Sequence, residues 1–145
     1  LNVDSSAGVI LDLASGNGII ARAIRQQYAH AEIHLVDDSY LAVESSKLNV
    51  KDENTHHHFS DSLENFTPEF FDLIASNPPY HFEYETNIEV ALDLFKQVYK
   101  KLKTGGHFQM VSAVSLNFKT HLTKLFSKVE ILAENNKFIV YDCEK

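Results

Sequence analysis

The chain has 145 residues, room for one ordinary domain and not for two. Hydrophobic residues make up 44% and charged residues 23%, which supports a packed core and excludes a largely disordered chain. One cysteine, Cys143, excludes an internal disulfide framework and a cysteine-built zinc site, and the net charge of -7 argues against a general nucleic-acid binder working alone.

The elements alternate along the chain. Val9 to Leu13 is a short apolar run that ends in a Gly-rich turn, so it reads as a buried strand. Ile19 to Tyr28 follows as a helix, with Ile20, Ile24 and Tyr28 at helical spacing. Glu32 to Val36 is a second strand, and Ser39 to Asn49 a second helix with Ser39 as its N-cap. His56 to Phe59 and Phe71 to Ser76 are further strands, the latter ended by Pro78 and Pro79. Asn87 to Lys103 is the best helix, with Ile88, Ala91, Leu92, Phe95, Val98, Tyr99 and Leu102 on its apolar side. Thr86 and Glu89 form a capping box at its start, and Gly105-Gly106 stops it. Phe108 to Val111 is a strand and His121 to Phe126 a short helix. Val129 to Ala133 and Phe138 to Tyr141 form a hairpin around Asn135-Asn136-Lys137. Such alternation predicts a mostly parallel sheet with helices on both faces, closed by one antiparallel strand. No linker or repeat divides it, so residues 1–145 are expected to form a single domain.

The acidity is uneven. Residues 1–80 carry 4 Lys and Arg against 12 Asp and Glu, and residues 81–145 carry 9 against 8. Lys96, Lys100, Lys101, Lys103, Lys119, Lys124, Lys128 and Lys137 lie in the second part. They read as solvated faces or as a basic side that meets a phosphate backbone.

The first motif is a loop between the first strand and the first helix. Asp12-Leu13-Ala14-Ser15-Gly16-Asn17-Gly18 has glycines where a backbone must pass close to a ligand. Gly16-Asn17-Gly18-Ile19-Ile20-Ala21 also matches a dinucleotide fingerprint, with Asp37 downstream. Asp12 decides between ligands. Its carboxylate would repel a pyrophosphate and attract an ammonium or a sulfonium, which favours S-adenosylmethionine (SAM) over a nicotinamide dinucleotide. Asp37, after the second strand, can accept from both ribose hydroxyls. Asp38 beside it is a further cofactor-side candidate, with solvent or the helix start as its other place. Asp61, after the third strand, can accept from the adenine amino group.

The second motif, Asn77-Pro78-Pro79-Tyr80-His81, follows the fourth strand. The prolines fix the direction of the neighbouring carbonyls. The Asn77 amide oxygen and the Pro78 carbonyl can accept both hydrogens of a planar amino group, turning its lone pair toward a methyl donor. Tyr80 offers a face on which a base can stack. Positioning and carbonyl dipoles carry the catalysis, with no strong general base. Asn77 also counts as a cofactor neighbour.

The order Asp12 to Gly18, Asp37, Asp61, Asn77 to Tyr80 resembles class I SAM-dependent methyltransferases that modify exocyclic amino groups. The likeness covers essentially the whole chain. It is nearest the bacterial ribosomal RNA guanine-N2 methyltransferases, the large-subunit enzyme in particular, through Val43 to Val50, Asn77 to His81 and Asn135 to Phe138. The resemblance implies a Rossmann-like α/β sandwich of seven strands in the order 3-2-1-4-5-7-6, the last antiparallel. It implies methyl transfer from SAM to the N2 amino group of a guanine in ribosomal RNA. Another amino target, such as adenine, cytosine or a protein glutamine, stays open, as does a non-catalytic SAM- or RNA-binding domain. The family pairs two methyltransferase-like domains, so this chain, which opens at Leu1, is expected to be the C-terminal catalytic piece of a longer protein. It is expected to methylate RNA poorly without an N-terminal RNA-binding domain. Ala14 and Ser15 depart from the family's usual Gly and Cys, and Tyr80 from its usual Phe. Ala113 stands where an Asn is common.

His56-His57-His58 suggests a metal site. Only His56 and His58 can share an ion along one strand, and no third ligand is evident, so no metal is expected. Lys137, in the hairpin, is a candidate phosphate contact. With no apolar run approaching the ~20 residues that span a bilayer, a cytoplasmic protein is expected.

Overall fold

The computed structural model describes residues 8–13, 18–50, 52–76 and 88–145. The turn at 77–81, the loop at 14–17 and the Thr86 half of the capping box lie outside them.

Seven strands and four helices alternate. They are β1 (Val9–Leu13), α1 (Ile19–Gln27), β2 (Glu32–Asp37), α2 (Tyr40–Asn49), β3 (Thr55–Phe59), β4 (Phe71–Ser76), α3 (Ile88–Lys101), β5 (Leu102–Ala113), α4 (Lys119–Leu125), β6 (Lys128–Glu134) and β7 (Phe138–Glu144). One sheet joins all the strands in the order β3-β2-β1-β4-β5-β7-β6. Its first five strands run parallel, and β7 runs antiparallel to both β5 and β6. This is the Rossmann-like sandwich and strand order that the resemblance implies.

The central strands β1 and β4 are mostly apolar runs because helices cover both faces of the sheet there. On one face Ile10, Ile33, Leu35, Leu73 and Ala75 pack with Ala21 and Ile24 of α1 and with Tyr28, which follows it. On the other, Leu11, Leu13, Ile74 and Phe108 pack with Ala91, Phe95 and Val98 of α3 and with Leu122 of α4. Ser39 caps α2, its side chain accepting from the Ala42 N–H at 3.3 Å. Asn135 builds the hairpin, its Oδ1 accepting from the N–H groups of Lys137 and Phe138, each at 2.8 Å.

The end of α3 departs from expectation. The helix stops at Lys101, not Lys103, because Leu102 already pairs with Phe71 of β4. The register then skips to Leu73 opposite His107. Gly105 and Gly106 make this irregular entry into β5 instead of capping a helix. Gly105 has φ +83, and a Cβ on Gly106 would meet the Lys103 carbonyl at 2.9 Å. Ile88, assigned to the core by periodicity, sits in the first turn of α3 and is 48% exposed. The buried set is Ala91, Leu94, Phe95, Val98 and Lys101.

The expected basic side is smaller than its lysine count. Lys101 is buried, and its ammonium donates to the carbonyls of Glu64 and Phe66. Lys103 pairs with Asp72 at 3.3 Å, and Lys128 with Glu130 at 3.0 Å. These three are held by the fold's own acceptors.

Candidate active site

Three acids meet at one edge of the sheet because parallel strands bring their carboxyl ends together. Asp12 is the penultimate residue of β1, Asp37 ends β2, and Asp61 follows β3 by two residues. The order β3-β2-β1 makes these strands neighbours. The chain order reverses at β1, where β4 takes its other side. Such a switch point opens a crevice at the carboxyl ends of the strands.

Asp12 lies on the α1 face and is 1% exposed. It accepts a hydrogen bond from the Ala21 backbone of α1, yet its Oδ2 has no partner among the described residues. Burial, reinforced by the charge of Asp37, pushes its carboxyl up to about 8. A buried carboxylate with an unpaired oxygen is unfavourable by itself and attracts a cation or a hydrogen-bond donor.

Asp37 is buried on the same face. Its Oδ1 accepts from the Ser39 N–H at 2.9 Å, which ties the carboxylate to the turn that starts α2. Its backbone carbonyl accepts from the Ser60 N–H at 2.9 Å, which brings the segment carrying Asp61 alongside. Asp61 and Asp38 are both exposed. The structure therefore brings Asp12 and Asp37 together as a buried pair, with Asp61 at the rim.

Gly18 is constrained by packing. It adopts φ +86 just before α1, and a Cβ there would stand 3.2 Å from the Ser46 Cβ and 3.3 Å from the Val50 Cγ2. Only glycine lets α1 start this close to α2. Ala14, Ser15, Gly16 and Asn17, and the catalytic candidates Asn77, Pro78 and Tyr80, lie outside the described residues.

Lys137 is exposed. Its carbonyl accepts from the Val114 N–H at 2.8 Å, and Phe138 pairs with Ala113 at the end of β5. The hairpin tip therefore shares the sheet edge that carries the acids.

The histidine run is richer than the sequence suggests. His57 points to α2, with Nδ1 2.9 Å from the Ser46 hydroxyl and Nε2 3.0 Å from the Val50 carbonyl. His56 and His58 point the other way and meet His34 and Glu32 of β2. Sequence reading found no third ligand here. Glu32 and His34 share one strand face at a spacing of two, and only the β2–β3 register shows which neighbour they meet.

These features define a Rossmann-like sheet with two buried acids, Asp12 and Asp37, at the carboxyl ends of neighbouring strands beside its switch point. A model of the methyltransferase small domain matches residues 1–142, and the chain belongs to that family. It is 33% identical over 144 residues to ribosomal RNA large subunit methyltransferase G of Cronobacter sakazakii, which covers 95% of this chain and 38% of that protein. The same enzyme of Alcanivorax borkumensis is 34% identical over 139 residues, covering 93% of this chain and 35% of that protein. The chain thus spans less than two fifths of these relatives' length. Among solved structures, the T. thermophilus 16S rRNA N2 G1207 methyltransferase (RsmC), in complex with AdoMet and guanosine, superposes with a TM-score of 0.80. It is 26% identical and covers 97% of this chain and 38% of that one. A Listeria monocytogenes S-adenosylmethionine-dependent methyltransferase has a TM-score of 0.79 at 12% identity, over 99% of this chain and 93% of that one, a likeness of fold.

Proposed function

We propose that this protein transfers a methyl group from SAM to the exocyclic N2 amino group of a guanine in ribosomal RNA. The observation that carries the reading is Asp12, a buried carboxylate with an oxygen that has no partner among the described residues, beside a second buried acid. That donor set suits SAM, which carries an ammonium and a sulfonium and no phosphate, and it disfavours a dinucleotide. The named relatives and the AdoMet- and guanosine-bound neighbour support the same cofactor and base.

When bound, SAM supplies a methyl carbon made electrophilic by its positive sulfur. The chain's residues do the rest. Asp12 holds the cationic side of the cofactor, together with the loop of Ala14, Ser15, Gly16, Asn17 and Gly18. Asp37 accepts from the ribose, Asp61 from the adenine amino group, and Asp38 stands at the rim. Asn77 and Pro78 accept the two hydrogens of the guanine amino group and aim its lone pair. Tyr80 stacks on the base, which leaves its helix to reach them. The new N–C bond would form as the C–S bond breaks, the electron pair staying on the sulfur of S-adenosylhomocysteine, and the proton would pass from nitrogen to solvent afterwards. Recognition of the ribosomal substrate, with a contribution from an N-terminal domain of the kind the resemblance implies, belongs to the same proposal.

Calorimetric titration tests the cofactor reading. SAM is expected to bind one to one and NADH not at all; NADH binding without SAM binding would overturn it.

A further inference from the structure

β2 and β3 form one margin of the sheet, and their parallel register sets His34 beside His56 and Val36 beside His58. Alternate strand residues share a face, so Glu32, His34, His56 and His58 converge on the side away from α2. The His34 Nε2 lies 2.9 Å from Glu32 Oε1, and the His56 Nε2 lies 3.7 Å from the same oxygen. One donor atom from each of these three residues falls within 4.8 Å of the others.

We infer that Glu32, His34 and His56 form a zinc site that clamps the edge strand β3 to β2. Tetrahedral zinc with bonds of about 2.0–2.1 Å to nitrogen and oxygen spaces its ligand atoms about 3.3 Å apart. The two distances from Glu32 Oε1, 2.9 and 3.7 Å, straddle that value, and all three ligand atoms lie within 4.8 Å of one another. Two imidazoles and one carboxylate are a borderline donor set, which suits zinc and not the all-oxygen preference of magnesium or calcium.

The ligands differ in rigidity in the way a binding site needs. His34 is 7% exposed, and its ring meets the edges of Phe66, Phe70 and Phe71 at centroid distances of 5.5, 5.6 and 5.7 Å. It is held in place. The Glu32 and His56 side chains are 37% and 46% exposed, which leaves an entry path. His56 stacks on His34 at 4.8 Å, so its ring turns out of that stack to aim Nε2 at the ion.

His58 supplies the outer partner. Its Nε2 lies 2.9 Å from His34 Nδ1. Without metal, His58 donates to His34, and His34 donates through Nε2 to Glu32. With zinc, His34 carries its proton on Nδ1 and donates to His58, leaving the Nε2 lone pair for the ion. Each ring keeps one proton, so neutral imidazoles exchange tautomers with no net release. A second ring nitrogen fixed in this way is the usual support of a metal-bound histidine. Water completes the fourth position. The site lies toward the amino ends of β2 and β3, away from Asp12 and Asp37, and is independent of the methyl-transfer reading.

The test titrates zinc chloride into the metal-stripped chain by calorimetry, with histidine ring nitrogens followed by NMR. One zinc per chain is expected, with His34 moving to the Nδ1–H tautomer, a higher thermal midpoint and no response to magnesium. Glu32→Gln and His56→Ala, both at half-open positions, should each weaken zinc at least about tenfold. His121→Ala, on α4, should not. Circular dichroism checks that the variants fold. Absence of zinc binding overturns the site, as does either variant binding zinc as tightly as the parent chain.

Discussion

Asp12 and Asp37 stand at the carboxyl ends of adjacent parallel strands, on one sheet face, 1% and 4% exposed. Burial, helped by the Asp37 charge, holds the Asp12 carboxyl at about 8 instead of its ordinary 3.8. Two acids in so dry a place are an electrostatic liability in the free protein. They become an asset once a cation sits over them.

Cofactor affinity should therefore depend on pH with a definite sign. A cation binds the ionised Asp12, so the affinity for SAM should rise by up to about tenfold per pH unit below 8 and level off above it. Binding at pH 7 should release a proton, seen by calorimetry in buffers of different ionisation heat. Asp12→Asn should remove that release. The free domain behaves in the opposite sense. Its Asp12 is raised above the unfolded value, so stability present below about pH 4 is lost as pH climbs to about 8. Thermal unfolding across that range should show the fall, and saturating SAM should lessen it.

Gly18→Ala should destabilise the fold. Its φ of +86 disfavours any Cβ by about 1–2 kcal/mol, and the new methyl would press on Ser46 of α2 and on Val50 just after it. Urea unfolding should show a lower midpoint at unchanged slope. An unchanged midpoint would mean that α1 can start elsewhere.

Cys143 should be inert in the native chain. It is fully buried opposite Phe108, and burial, with Asp142 adding to it, pushes its thiol up to about 12. A thiol reagent at pH 8 should label it only as fast as the chain unfolds, and immediate stoichiometric labelling would contradict this placement.

Asn77→Ala separates catalysis from cofactor binding. Turnover should vanish while SAM affinity stays within a few-fold, because Asn77 is assigned to the amino group of the base. Joint loss of both would make Asn77 a cofactor residue first.

What could be read from the sequence follows from range of interaction. β1 and β4 were legible to the residue, because buried parallel strands are apolar runs with sharp ends. Asp12 and Asp37 were legible because they sit at the carboxyl ends of β1 and β2. The stop of α3 was not, since strand pairing at Leu102 outweighed the local signal of Gly105-Gly106. Lys101 and Lys103 looked like members of a basic face, but the carbonyls of Glu64 and Phe66 and the carboxylate of Asp72 come from distant sequence. The meeting of His34 with His56 depends on strand register, which periodicity does not encode.

Methyl transfer to a guanine amino group is read at the product. The intact natural protein is incubated with methyl-deuterated SAM and undermethylated ribosomal RNA, and the nucleosides are resolved by mass spectrometry. Deuterated N2-methylguanosine is expected, and none with Asn77→Ala. Label on adenosine, on cytidine or on protein, or SAM bound with no N2-methylguanosine formed, would contradict it.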